Sequence, residues 1–159
     1  MKKARIVCIL LLGIILVSGL SCDGGEVSTS TPTPTTTPTV TEYISLIDNL
    51  REAGATVDTG EVIQQPCFSV DGKAITVNGN DVQVFEYEDA AASDTEAAFI
   101  SPDGFSISNN GQTCAISWVA PPHFYKASNL IVLYVGDNQD VIDVLETVLG
   151  RQFAGSVEE

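Results

Sequence analysis

The side chains able to do chemistry are few in this 159-residue chain: one histidine, four cysteines, and short clusters of Asp and Asn. His123, in "APPHFYKAS", is the only imidazole, the group that titrates near neutral pH without special help. In a small hydrolase it would serve as base for a Ser or Cys nucleophile; in a metal-dependent domain it would bind the ion beside carboxylates. No GxSxG elbow accompanies it. The competing reading places His123 in a structured inter-strand loop that Pro121 and Pro122 stiffen, with Phe124 and Tyr125 tucked back. The clusters "NGND", "SPDG" and "DNQD" offer oxygen ligands, yet a calcium loop needs them at set alternate positions. The fifth position counted from Asp137 is Val141, which breaks the pattern. Caps and turns account for these residues, so no catalytic residue, metal or cofactor is expected. Trp118, Phe124 and Tyr125 also have two readings, an exposed aromatic contact patch or ordinary core packing.

The cysteines divide by position. Lys2, Lys3 and Arg5 precede an apolar run from Ile6 to Leu20, 15 residues long. A spanning helix needs roughly 20, whereas a basic start, a short apolar stretch and small residues before a cleavage point describe a secretory signal. Gly19, Leu20 and Ser21 before Cys22 resemble a bacterial lipobox. That resemblance implies that the signal, residues 1–21, is cut off and that Cys22 becomes a lipidated N-terminus. Two or more acyl chains hold a protein stably where a single one does not. Asp23 resembles the inner-membrane retention signal of two-membrane bacteria. Cys8 leaves with the signal and Cys22 takes the lipid, so Cys67 and Cys114 remain as an even pair. Outside the cytoplasm such a pair usually oxidises. The bridge would span a sequence separation of 47 residues, worth roughly 4 kcal/mol by chain entropy. Two buried free thiols are the alternative, since the spacing fits neither a metal site nor a CxxC motif.

Residues 22–41 hold the lipidated cysteine and a Thr/Pro-rich linker, "STSTPTPTTTPTV", which buries no core and should stay extended. At polyproline II spacing its 13 residues reach about 40 Å. Loss of residues 1–21 removes three of the seven cations and no acid, leaving four against 21, a formal net charge of −17. That balance argues against nucleic acid or anionic lipid headgroups as direct partners. An acidic surface also keeps an exported domain soluble. Residues 42–155 suffice for one domain with its own core, and 156–159 form a short tail.

The elements that must position these side chains follow from period and punctuation. "TEYISLIDNLREAGATV" sets Tyr43, Ile44, Ile47 and Leu50 at helical spacing, with Thr41 as N-cap and Gly54 as the stop. "CFSVDGKAITVNGNDVQVFEY" reads as two or three strands with turns at Asp71-Gly72 and Asn78-Gly79. "DAAASDTEAAF" is helical, and "SPDG" turns the chain after it. "CAISWV" and "NLIVLYV" read as strands flanking the His123 loop, the second covered on both faces. "DNQDVIDVLETVLG" aligns Val141, Val144, Leu145, Val148 and Leu149 on one helical face, capped by Asp137 or Asn138 and closed by Gly150. The order α-β-β-β-α-β-β-α predicts an α+β fold, an antiparallel or mixed sheet with packed helices. A ferredoxin-like arrangement fits that order.

"DVQVFEYEDAAA", "ISPDG", "WVAPPHFYK", "LIVLYVGD" and "VLGRQFAG" resemble a family of small bacterial lipoproteins over about residues 43–155. The resemblance implies a single extracytoplasmic domain and brings no catalytic residues with it. Two classes of function remain. One is a binding or accessory module of the cell envelope, held to the membrane by its lipid. It would meet an envelope protein through a contact loop of Trp118, Pro121, Pro122, His123, Phe124 and Tyr125. The other is a small hydrolase or metal-dependent domain using His123.

Overall fold

Tight turns and apolar alternation build residues 39–156, the part of the chain that the computed structural model describes. Cys8, Cys22, the signal segment and the linker as far as Pro38 lie outside the described residues, as do residues 157–159. Helix α1 (Tyr43–Glu52) leads into β1 (Val57–Ile63), β2 (Gly72–Val77) and β3 (Asn80–Glu86). Helix α2 (Ala90–Ala97) follows, then β4 (Ser106–Asn109), β5 (Gln112–Ala115), β6 (Pro122–Ala127) and β7 (Leu130–Val135). Helix α3 (Gln139–Leu149) and the two-residue β8 (Ala154–Gly155) close the fold. It is a single α+β domain. Among the described residues no helix is long and apolar enough to cross a membrane.

Six strands form one antiparallel sheet in the order β1-β2-β3-β7-β6-β8, and β4 pairs with β5 separately. Asn78-Gly79 turns the β2–β3 hairpin with φ of 50° and 78°. Both central residues are left-handed, which a type I′ turn requires and which Asn-Gly adopts with little strain. β1, β2 and β3 are neighbours in chain order, as are β6 and β7, while β7 lies beside β3 and β8 beside β6, so the ferredoxin-like arrangement does not form.

The sheet separates two cores. On one face α1 and α3 cover Ile75, Val77, Val82, Val84, Leu130 and Val132 with Leu46, Leu50, Val141 and Leu145. On the other, Phe85, Phe124, Ile131 and Leu133 are roofed by α2, the β4–β5 hairpin and the loop before β2. β7 is buried along nearly its whole length because both faces are covered. Asn138 Oδ1 caps α3 by accepting from the Asp140 N–H at 3.1 Å, and Gly150 ends the helix at φ 82°.

Several expectations need correction. The stretch after Ala120, expected as a loop, is strand β6. "CAISWV" contributes only Cys114 and Ala115 to a strand. The three strands preceding α2 begin with β1, while Cys67–Val70 is irregular and Asp71-Gly72 opens β2 rather than turning a hairpin. The cap position of α1 is Glu42, one residue after Thr41; the Ser45 hydroxyl oxygen accepts from both N–H groups, at 2.9 and 3.0 Å. Val40, expected in the linker, is buried against the helical core, and Ser156 still donates its N–H to the Pro122 carbonyl. The folded part therefore extends slightly beyond residues 42–155 at both ends.

Candidate functional site

Strand alternation places His123 on the helix-covered face near the sheet edge, where it is 4% exposed. Its ring lies at 22° to the Tyr134 ring, centroids 5.9 Å apart. It forms one wall of a cleft of about 180 Å³ that Gln139, Ile142, Glu146, Gln152 and Ser156 also line. A serine, a histidine and a glutamate thus meet in one place, the side-chain types of a hydrolytic triad. They are not connected as one. Nδ1 lies 2.8 Å from Gln152 Oε1 and Nε2 lies 3.0 Å from the Gly136 carbonyl oxygen. Neither ring nitrogen faces Ser156 or Glu146, and a general base needs a free nitrogen within reach of the nucleophile.

The rest of the expected contact loop is drawn inward. Phe124 and Tyr125 have no exposed surface, Pro122 is buried, Trp118 is half-buried and only Pro121 is exposed. The reason is packing. The Phe124 ring meets Trp118 edge-on at 6.1 Å, Phe153 at 6.1 Å and Phe68 at 6.4 Å, while Phe68 stacks on Phe85 at 4.0 Å. The Trp118 indole N–H donates to the Gly104 carbonyl at 2.8 Å. Burial, and then the charges of Glu146 and Asp143, push ionisation of the Tyr125 hydroxyl up, which disfavours its phenolate. The aromatic contact surface expected from "WVAPPHFYK" is mostly core. Val119, beside Trp118, is almost wholly exposed.

Cys67, in the loop between β1 and β2, is disulfide-bonded to Cys114 in β5, with Cα atoms 6.0 Å apart. The bridge ties that loop to the β4–β5 hairpin over the aromatic core. An open groove of about 640 Å³ runs beside it and is lined by Pro66, Ile107, Asn109, Gln112 and Thr113 as well as the two cysteines.

The acidic clusters serve the backbone. Asp103 Oδ1 accepts from the Ser101 hydroxyl at 2.6 Å and the Phe105 N–H at 3.1 Å, which hold its carboxyl below the usual range. Asn78 Oδ1 accepts from the Thr56 N–H at 2.9 Å. Among the described residues no group of three His, Cys, Asp or Glu side chains is placed to hold a metal ion. Two carboxylates that sequence reasoning missed join elements together. Glu86 accepts from the Tyr43 N–H at 3.1 Å and pairs with Lys73 at 3.0 Å, docking the start of α1 on the sheet. Burial pulls its carboxyl up, but these two partners outweigh that and hold it low. Glu96, 4% exposed, accepts from the Ser69 hydroxyl at 2.6 Å and fastens the disulfide loop to α2.

No protein-family model matches the chain, and neither a curated protein nor a solved structure matches it.

Proposed function

We propose that this chain is an exported, lipid-anchored domain that acts as a binding or accessory module of a bacterial cell envelope. The Cys67–Cys114 disulfide is the observation that supports this reading most. Such bridges form and persist in oxidising compartments and are rare where glutathione and thioredoxin keep thiols reduced. A signal-like N-terminus with Cys22 behind it supplies a route out of the cytoplasm and an anchor. The Thr/Pro tract then lets the domain reach beyond the lipid surface. The hydrolase reading has the right residue types in the His123 cleft, but both ring nitrogens are committed to carbonyl-type oxygens.

Cells fed a fatty-acid analogue should label the wild-type protein and leave Cys22→Ala without label. Label retained on Cys22→Ala overturns the anchor. Turnover of an ester or peptide panel by the purified protein, lost in His123→Ala, would decide for the hydrolase.

A further inference from the structure

We infer that His123 is a proton-operated latch that holds the C-terminal segment Gln152–Ser156 against the edge of β6. A chain of hydrogen bonds passes through the ring. The chain runs from the Gly136 carbonyl oxygen to Nε2 of His123, from Nδ1 to Gln152 Oε1, and from Gln152 Nε2 to the Ser156 carbonyl oxygen at 2.7 Å. Both ends are carbonyl oxygens, which only accept. The amide of Gln152 must turn its NH₂ group toward Ser156, and this fixes its oxygen toward the imidazole. All three bonds therefore exist together only when both ring nitrogens carry protons. A neutral ring leaves one contact with two lone pairs and no hydrogen. Flipping the Gln152 amide moves that defect to Ser156 without removing it.

The latch closes over a short edge pairing. β8 pairs with β6 at two positions only, His123 with Gly155 and Phe124 with Ala154. The Phe153 N–H donates to the Phe124 carbonyl, the Ser156 N–H to the Pro122 carbonyl and the Gly155 N–H to the Pro102 carbonyl, each at 2.9 Å. At Gly155, with φ of 120°, a Cβ would collide with the Pro122 carbonyl oxygen, so the segment passes too close for any other residue. Opening would leave the Pro122 and Phe124 carbonyls at the sheet edge without donors. Few charges compete for the imidazole. From α3 the ionisable group in the cleft is Glu146, and from β7 it is Tyr134, stacked on the ring. The C-terminal segment brings Gln152 and Ser156, neither of which titrates, and Arg151 beside them is exposed. Gln139 is engaged with Asp143 at 2.7 Å.

A protonated ring keeps the segment closed, and loss of the proton as pH rises loosens it. Amide hydrogen exchange of the full-length protein, followed by NMR between about pH 5 and pH 8, tests this. After correction for intrinsic exchange, protection of the Phe153, Gly155 and Ser156 amides should fall roughly tenfold or more, the effect of losing a charge-assisted bond. The fall should share its midpoint with the His123 ring signals, while Val132 and Leu133 in β7 stay protected. Gln152→Ala should show low protection of the three amides throughout and no pH step. Protection that ignores the ring's titration in the wild-type protein overturns the latch, and this arm stands even where a variant fails to fold. A pH step of undiminished size in Gln152→Ala overturns it equally.

Discussion

Replacing Phe124 with Ala should cost the domain about 3–5 kcal/mol, the range for deleting a buried ring from a packed core. The site has little freedom to collapse. Phe124 has no exposed surface, and Phe68, Trp118 and Phe153 surround its ring. Its strand is held by β7 on one side and β8 on the other. Single domains are stable by roughly 5–15 kcal/mol in all, so the variant should show a large drop in its urea midpoint with little change in slope. Phe124→Leu, which keeps much of the volume, should cost distinctly less. The same experiment separates two accounts of "WVAPPHFYK". A partner-facing loop would tolerate the change within about 0.5 kcal/mol, as surface positions do. A loss that small would remove Phe124 from the core and β6 from the sheet.

Removal of the Cys67–Cys114 bridge should be nearly as costly. The sequence separation is 47 residues, and the chain-entropy account gives roughly 4 kcal/mol for a loop of that length. The loss should also have a location. β4 and β5 pair with each other and not with the main sheet, so the bridge is their covalent tie to the loop before β2. In the Cys67→Ala, Cys114→Ala double variant, amides of the β4–β5 hairpin should lose exchange protection first, while those of β7 keep theirs until global unfolding. A double variant with wild-type stability would show that the hairpin is held instead by the packing of its Ile107 and the following Ile116 into the core beside Ile100.

Much of this architecture is legible in the residues, and the failures have physical causes. "NLIVLYV" declares a central strand because apolar residues occupy both alternating positions. Helix α3 declares itself through Asn138, Asp140 and Gly150 at its two ends. β6 is hidden by Pro121-Pro122, which reads as a turn signal. Pro122 instead takes the first strand position, where a missing N–H is tolerated. β1 is hidden because it is an edge strand: Gly60 interrupts it, its register shifts between Thr59 and Val62, and its middle residues are exposed, so no alternation marks it. Cysteine parity, with Cys8 read as part of a signal and Cys22 as a lipidation site, leaves the pair that the structure joins. The surroundings of His123 leave no trace in the sequence, since one partner is a backbone carbonyl and the other, Gln152, lies 29 residues away. Its position among "APPHFYKAS" reads as an inter-strand loop; the residue lies in strand β6, whose alternation buries it.

A single measurement reads export, lipidation and oxidation of one chain together. It is the intact mass of the protein recovered from the membranes of the cells that make it, taken before and after reduction with an alkylating reagent present. The account predicts a chain that begins at Cys22, carries the added mass of its acyl groups, and takes up two alkyl groups only after reduction, at Cys67 and Cys114. A chain that retains residues 1–21, lacks lipid mass, or alkylates at both cysteines without reduction would contradict it.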